Sequence, residues 1–417
     1  MHSNKNNREF SLSRSIVETA LKVYIENGSS VKKPVQCLDL SAEKKEGEKW
    51  IESHGPSINL MESQIIHVNG CNNGDNHKTP TIESNYIVIE KTDFNFIYVE
   101  CTTEGSTYFD CVFRKITRNG VFALTTSDDP ALYGRPAEPA LRCYAGRIVR
   151  TFYAPELAVR LVLAAMTRSA ARFSKSIEVL LTMVVKNTIT IVVKVKKGAD
   201  AAVTCLKDVK TLVHCTLCEE RAFLPENDGF VVDDVRCFLS CSCASESVGR
   251  TMMTLGPLWA GTLGSPGYIS DMLQYAKQSP QLFSFLQDLL VELRCDKKTA
   301  KINKESLNDK SKTSESKIEE PTDTAEENTL KRKADSELCD VLHKQVKVED
   351  TNEPAPTFYY NLHKHKPKGA QHLLKVDKVI EILHKQGLRA SRTHFDRAAI
   401  KTEASLTQLQ DIISHVT

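Results

Sequence analysis

The 417-residue sequence has no apolar segment that is both long enough and free enough of charge to cross a membrane. Its longest apolar stretch, residues 156–173, carries Arg160, Arg168 and Arg172, which indicates a buried amphipathic helix. The first ten residues are polar and show no signal-peptide pattern. The formal net charge is only +2, so any basic surface must be local. These absences predict a soluble intracellular protein without a membrane partner.

Aromatic residues are absent from residues 296–356, where charged residues are frequent. Such a segment cannot bury enough apolar area to offset chain entropy, so we expect a disordered linker. Lys331, Arg332 and Lys333 form a basic cluster in it, which predicts a nuclear import signal; a solvated charge run is the alternative. The expected compartment is the nucleus, with the nucleolus as a narrower alternative.

Short strand-like runs alternate with helical patterns over the first half of the chain. The runs occur at residues 34–41, 57–61, 86–90, 94–100 and 120–128. Residues 177–198 hold two β-branched runs separated by Lys-Asn-Thr, which is typical of a hairpin. The pattern predicts an α/β layer fold that ends in an antiparallel pair. Further helices are expected within 268–294, over 373–387 with a stop at Gly387, and near the C-terminus.

Four of the 13 cysteines lie in two close pairs. A Cys-x-x-Cys pair, Cys215 and Cys218, is followed by a Cys-x-Cys pair, Cys241 and Cys243. Two thiolate pairs on tight turns suit tetrahedral ligation of zinc, with Cys237 as a substitute ligand. Four protein ligands leave no open position, so this zinc would be structural. The alternative is a set of buried free thiols.

Several separate segments together resemble one enzyme family. They are "NREFS" (7–11), "GVFALTTSD" (120–128), "LYG", "PELAVRLVLAAMTRSAARFSKSIEVLL", "LGPLWAGTL" (255–263), "FYYNLHKHKPKG" (358–369), "GLRASRTHFD" and "IKTEAS". The chain resembles the tRNA guanine-N2 dimethyltransferase family, in its tRNA methyltransferase 1-like branch. The resemblance implies a class I S-adenosylmethionine (SAM) methyltransferase fold that methylates N2 of a tRNA guanosine near the junction of the D-stem and anticodon stem.

The resemblance also implies a division of the chain into four parts. These are a partly degenerate, Rossmann-like SAM-methyltransferase domain (1–205), a zinc module with a helical segment (206–295), the linker (296–356) and a C-terminal RNA-binding-type domain (357–417). The last part is expected to be an α+β, winged-helix-like unit that helps to grip tRNA.

The SAM-binding positions that the resemblance assigns are Arg8, Asp39 and Glu62. A SAM fold needs small residues and glycines in the turn after its first strand. After Asp39 this chain instead has Glu43, Lys44, Lys45 and Glu46, with Gly47 alone remaining. Side chains there should fill space that the cofactor needs, so we expect weak SAM binding or none.

Glu100 stands where the family has the aspartate of an Asp-Pro-aromatic-Gly motif, whose carboxylate accepts hydrogen bonds from the guanine amine. The sequence here is Glu100-Cys101-Thr102-Thr103, which keeps the charge on a longer side chain and loses the proline and the aromatic residue. A misplacement of about 1 Å can cost about a hundredfold in rate. We therefore interpret Glu100 as the relic of a catalytic residue. Only three residues separate 86–90 from 94–100, too few for a parallel crossover, so the two form a hairpin or one is displaced.

The C-terminal part has an excess of Lys and Arg over Asp and Glu, and half of the protein's histidines. The predicted RNA contacts are Lys364, Lys366, Lys368, Arg392 and His394, with His363 and His365 close by. Tyr359 and Tyr360 could stack on bases or be core residues. Three functions remain open at this point: an active tRNA methyltransferase, a degenerate relative that binds tRNA, and a zinc-stabilised nuclear adapter for proteins.

Overall fold

The computed structural model describes residues 3–27, 37–40, 65–67, 93–134, 136–225, 238–247, 251–296, 355–365 and 374–414. Within these ranges, no helix is long and apolar enough to span a membrane. The predicted strands at 57–61 and 86–90, Glu62, residues 41–50 and the basic cluster at 331–333 lie outside the described residues.

A six-stranded mixed sheet with the order β2-β1-β3-β4-β6-β5 forms the first layer. Its strands are β1 (Cys37–Leu40), β2 (Ile65–His67), β3 (Phe94–Cys101), β4 (Ile116–Thr126), β5 (Lys175–Val185) and β6 (Thr188–Lys197). The strands from β2 to β4 are parallel, whereas β6 is antiparallel to both β4 and β5. The α/β fold with a closing hairpin is therefore confirmed.

The sequence left two alternatives for residues 86–90 and 94–100, a hairpin or a displaced run, and residues 86–90 lie outside the described residues. β3 has a parallel neighbour on each side, β1 and β4, which leaves no edge for an antiparallel partner. The strand β2 was not predicted, because Ile65 and Ile66 make a very short apolar run.

Helices cover both faces of this sheet. They are α1 (Ser3–Asn27), α2 (Phe109–Lys115), α3 (Asp129–Leu132), α4 (Glu138–Tyr144), α5 (Ala154–Arg172) and α6 (Ala199–Leu206). Alternation along β3 separates two cores: Ile97 and Val99 contact the α5 side, while Phe96 and Tyr98 contact the α1 side. The α5 helix is buried along nearly its whole length, as its apolar sequence predicts.

A second, antiparallel sheet of three strands has the order β8-β7-β9. Its strands are β7 (Val209–Cys215), β8 (Arg221–Phe223) and β9 (Met252–Trp259), and a single helical turn, α7 (Cys243–Glu246), precedes β9. The two helices predicted within 268–294 are α8 (Pro266–Tyr275) and α9 (Pro280–Arg294). They pack on the α1 side of the first sheet through residues such as Ile269 and Leu286.

The C-terminal segment is an α+β unit, as predicted. It contains β10 (Tyr360–Asn361), α10 (Val376–Lys385), β11 (Ala390–Arg392), β12 (Ala399–Thr402) and α11 (Leu406–Ser414). Its sheet has the order β10-β12-β11. Gly387, at φ +78°, follows α10 and allows the left-handed turn that ends the helix.

This C-terminal unit shares a core with the rest of the described chain. Phe358, Tyr359 and Ala399 belong to the same apolar cluster as α5 and β4, and residues up to 298 and from 355 onward form one compact unit. Tyr359 and Tyr360 are buried, so the core alternative is confirmed and base stacking by them is excluded.

A network of buried charges joins the C-terminal unit to helices α5 and α9. Lys401 Nζ, on β12, lies 3.0 Å from Glu292 Oε1 and 3.7 Å from Glu156 Oε2. Glu292 also accepts hydrogen bonds from the side chain and the backbone N–H of His394, each at 2.7 Å. Glu156 accepts a hydrogen bond from the Phe358 N–H at 2.9 Å. Each buried charge therefore has a partner of opposite sign.

Replacing Glu292 should destabilise the whole unit. Burial alone would raise the pKa of Glu292, but His394 and Lys401 outweigh it and hold this pKa far below its ordinary value. Glu292→Gln leaves Lys401 short of a buried partner, and we expect it to lower the free energy of unfolding by about 3–5 kcal/mol at pH 7, measured by urea denaturation.

The stability that Glu292 contributes should depend on pH. A depressed folded pKa contributes stability above the unfolded pKa, about 4.3, and that stability is lost as pH falls further. The difference between wild type and Glu292→Gln should therefore shrink below about pH 4. Glu178→Gln, in an exposed ion pair with Lys196, is the matched control and should cost less than about 1 kcal/mol. Equal effects of the two substitutions would contradict the assigned network.

Candidate functional site

The carboxyl ends of the parallel strands β1, β3 and β4 meet at one edge of the first sheet. Leu40 is level with Val99, and Glu100 is level with Thr125. Ligands of open α/β sheets bind at this edge, which therefore is the candidate site. Glu100 is the penultimate residue of β3 and lies close to the carboxyl end of β1 at Leu40.

Glu100 is buried, with a side chain only 4% exposed, and is fully engaged by protein groups. Arg14 on α1 donates to both of its carboxylate oxygens, from Nε at 3.0 Å and from Nη2 at 2.8 Å. The Tyr98 hydroxyl donates a third hydrogen bond to Oε2 at 2.7 Å. A two-pronged arginine contact is among the stronger charge-assisted pairs in proteins.

This arrangement gives Glu100 a structural task. It attaches α1 to the carboxyl edge of the sheet, because its partner Arg14 lies on α1, 86 residues away in sequence. The carboxylate points toward this pair of donors, so a guanine amine would have to displace Arg14 or share the same oxygens with it. Sequence reasoning missed Arg14, since a single basic residue on an amphipathic helix is an ordinary surface pattern.

A second buried carboxylate, Asp128, lies at the same edge just after β4. It accepts hydrogen bonds from the Tyr144 hydroxyl at 3.2 Å and from the Glu104 N–H at 3.3 Å. Burial raises the pKa of Asp128. Glu104 itself has φ +56°, in the turn that links β3 to the short 3₁₀ helix Gly105–Tyr108. Asp128 thus fixes the loop that follows Glu100, a role that the "TTSD" sequence did not reveal.

The residues predicted to bind SAM are placed only through their backbones, or not at all. Asp39 lies in β1 beside Tyr98, and Arg8 lies in α1. Their side chains, Glu62 and the turn with Glu43 and Glu46 lie outside the described residues. The edge of the sheet therefore holds the expected strand, while the cofactor contacts stay predictions.

The four cysteines predicted to bind metal come together. The sulfur atoms of Cys215, Cys218, Cys241 and Cys243 all lie within 4.8 Å of one another. The first pair occupies the turn after β7, where the Glu219 N–H bonds to the Cys215 carbonyl at 3.0 Å and Glu219 has φ +62°. The second pair flanks the start of α7. Cys237 lies outside the described residues.

The chemistry of the cluster fits a metal ion. Tetrahedral ligation with metal–sulfur bonds near 2.3 Å places sulfurs roughly 3.8 Å apart, within the observed limit. Burial and the neighbouring Cys215 thiolate together raise the pKa of Cys241 to about 11. A divalent cation would offset both effects, so four thiolates at this spacing are compatible with an ion and unfavourable without one.

The three predicted RNA contacts that the structure describes differ in their surroundings. Lys364 is partly exposed, and its Nζ lies 4.0 Å from Glu219 Oε1. Arg392 is exposed but pairs with Asp377, the Nη2–Oδ1 distance being 2.7 Å. His394 is buried against Glu292, which removes it from any RNA-facing set. Lys366 and Lys368 lie outside the described residues.

His365 also differs from its expected role. Its ring is buried against Tyr360, at a centroid distance of 5.4 Å. Burial, together with the nearby charges of Arg221 and Lys364, lowers the pKa of His365 to about 3. The ring is therefore neutral at physiological pH and cannot bind phosphate as a cation, whereas His363 is exposed.

Comparisons with known proteins give a consistent result. The model of the family described as N2,N2-dimethylguanosine tRNA methyltransferase matches residues 58–312 and 310–414. The human tRNA (guanine(27)-N(2))-dimethyltransferase is 30% identical, with 98% of this chain and 60% of that protein covered. For the Bos taurus protein of the same name, the values are 32%, 84% and 48%. The chain thus spans about half to three fifths of the length of these relatives.

Archaeal proteins are similar as well. The tRNA (guanine(26)-N(2))-dimethyltransferase of Methanobrevibacter smithii is 25% identical, with 79% of this chain and 68% of that protein covered. The solved structure of Trm1 from Pyrococcus horikoshii with S-adenosyl-L-methionine superposes with a TM-score of 0.59 at 18% identity, covering 96% of this chain and 93% of that one. That similarity supports the fold: a Rossmann-like methyltransferase sheet with additional modules.

The cysteine cluster predicts bound metal. Wild-type protein purified without chelators should contain close to one divalent ion per chain by plasma mass spectrometry. Cys218→Ser should remove most of that ion and lower the melting temperature, because the turn after β7 loses its cross-link. Cys143→Ser, at a partly exposed cysteine outside the cluster, is the matched control and should keep its metal. Well under one ion in the wild type would refute the site.

Proposed function

The chain belongs to the N2,N2-dimethylguanosine tRNA methyltransferase family, and on this premise we propose that it binds tRNA while transferring methyl groups weakly or not at all. The family match and the relatives' printed activities support tRNA as the ligand. No contact among the described residues favours the nuclear-adapter alternative.

The observation that carries the second half of the proposal is the pairing of Glu100 with Arg14. In the family-like position, a carboxylate must accept hydrogen bonds from the exocyclic amine of guanine. Here both oxygens already accept from Arg14, and Oε2 accepts from Tyr98 as well. Freeing Glu100 would break a largely buried, two-pronged ion pair with Arg14, which is costly.

The proposal that SAM binds weakly or not at all depends on both the sequence and the fold. When bound, SAM would supply the methyl group at the carboxyl edge, with Asp39 close to it and Arg8 on α1 as a further candidate contact. The similarity to a Trm1 solved with S-adenosyl-L-methionine supports that position. In the sequence that follows β1, Glu43, Lys44, Lys45 and Glu46 stand where small residues are needed, which opposes tight binding.

We propose zinc as the ion of the cysteine cluster, because four thiolates in tetrahedral array favour this metal. Its role would be structural, holding the turn after β7. We further propose nuclear localisation through Lys331, Arg332 and Lys333, which imaging of the triple alanine variant would test.

The catalytic part of the proposal predicts that Glu100 matters more for stability than for rate. Glu100→Gln should lower the melting temperature, because Arg14 loses its ionic partner, and should leave any residual methylation of tRNA unchanged. Tyr98→Phe removes one hydrogen bond from the same carboxylate and serves as the milder control. Incorporation of labelled methyl groups from SAM, together with calorimetric SAM titration, measures both quantities.

Two outcomes would contradict this prediction. A loss of about a hundredfold in methylation for a folded Glu100→Gln protein would restore Glu100 to catalysis. A SAM dissociation constant in the low micromolar range would show that the cofactor pocket is intact despite the charged turn.

The RNA-binding part predicts a steep salt dependence. Filter binding of the full-length protein to tRNA should weaken with salt, because lysine contacts to phosphates release counterions. Replacing Lys364, Lys366 and Lys368 together by alanine should flatten the log–log slope by up to about three units. The matched control is a triple alanine variant at the exposed Lys196, Lys197 and Lys277. Absence of salt dependence in the wild type would favour a protein partner instead.

A further inference from the structure

Phe152 is an exposed aromatic residue on a fixed backbone. Its side chain is 50% exposed, the largest exposure among the aromatic side chains of the described residues. Its N–H donates to Glu219 Oε2 at 3.1 Å, and its carbonyl accepts from the Tyr359 hydroxyl at 3.1 Å. The two partners belong to the metal-binding turn and to the C-terminal unit. Contacts with two other segments therefore fix the backbone of Phe152, while its ring is exposed to solvent.

A cation lies beside this ring. Lys364 Nζ is 5.6 Å from the ring centroid of Phe152, and the same amine lies 4.0 Å from Glu219 Oε1. The Lys364 backbone is fixed as well, since its N–H donates to Asn361 Oδ1 at 3.1 Å. The Glu219 carboxylate is balanced by the Phe152 N–H and Lys364, so it does not make the ring's surroundings anionic.

The chain that leads to Phe152 is cationic. Residues 141–153 contain Arg142, Arg147 and Arg150, all exposed, and no acidic residue. Arg147 is held in place by two backbone hydrogen bonds with Gly256 on β9, at 2.9 and 2.7 Å. The backbone of this cationic stretch is therefore held in a defined position at Arg147.

The topology places Phe152 on the same side as the candidate site. The connection from β4 to α5 begins at the carboxyl edge of the sheet, and α5, which starts at Ala154, returns toward the opposite edge. Phe152 directly precedes α5, so it faces the side on which Glu100 and Asp128 lie.

We propose that Phe152 and Lys364 form a stacking site for an unpaired base of the bound RNA, with Arg147 and Arg150 contacting the flanking phosphates. An exposed aromatic face with adjacent cations matches the chemistry of an unstacked nucleobase on its charged backbone, since the ring takes the base and the cations take the phosphates. A purely base-paired duplex offers no free base face to this site. The inference rests on the proposed binding of tRNA and adds the residue that selects unpaired structure.

The test compares tRNA with a fully paired RNA duplex of equal length, using the full chain. Phe152→Ala should weaken tRNA binding roughly tenfold, leave duplex binding unchanged and leave the salt slope unchanged, because stacking releases no counterions. Lys364→Ala should flatten the slope by about one unit. Tyr275→Ala, at the exposed aromatic residue on α8, is the matched control and should bind both RNAs like wild type.

A second variant reads the contact directly. Phe152→Trp keeps an aromatic face, so it should retain affinity, and its fluorescence should be quenched by tRNA but not by the duplex. If Phe152→Ala binds tRNA as tightly as the wild type, and tRNA does not quench the introduced tryptophan, this inference is overturned. The proposed binding of tRNA would still stand. Equal weakening for both RNAs would overturn the selectivity for unpaired bases. Failure of the wild type to bind tRNA would overturn the proposed function as well.

Discussion

The arrangement of the described residues depends on the ion pairs of the buried Lys401 ammonium group with two carboxylates. A charge removed from water is costly unless partners of opposite sign surround it, and here Glu292 and Glu156 supply them from two helices. Arg160 binds Glu156 from the next turn of α5 and also bonds to the carbonyls of Trp259 and Gly261. The network thus sets the position of the C-terminal sheet against α5, α9 and β9, and with it the position of Tyr359 behind Phe152.

The same logic of paired charges governs the candidate site. In a catalytic edge of this kind, a carboxylate is useful when its oxygens are available to a substrate. Glu100 instead has its charge matched within the protein by Arg14, and Asp128 is occupied by Tyr144 and Glu104. Acidic residues at the right sheet edge are therefore compatible with a family fold whose working groups have become structural. The proposed stacking site of Phe152 and Lys364 lies where the loop before α5 meets the turn after β7.

Local patterns predicted much of the structure, whereas long-range pairing was beyond them. The β5–β6 hairpin, the paired cysteines and the stop at Gly387 each depend on residues close in sequence, where turn chemistry and spacing are informative. Arg14 with Glu100, and Lys401 with Glu156, join residues far apart, and nothing in their own segments marks them. His365 and His394 were assigned to RNA because composition reports charge and not burial. Phe152 was missed because one phenylalanine among apolar neighbours resembles a core residue.

The sharing of one core by distant segments has a consequence for biosynthesis. Phe358 and Tyr359 fill space against α5 and the β7–β9 sheet, although they are encoded after nearly all of the residues they contact. During synthesis on the ribosome, Tyr153 and Glu156 lack their contacts with Phe358 until the C-terminal segment has emerged. A chain that ended before residue 355 would lose more than the C-terminal unit itself. It would leave an open apolar surface, and Glu156 would keep Arg160 but lose the Phe358 N–H and the Lys401 ammonium group. Quality control recognises such a chain as a misfolded protein.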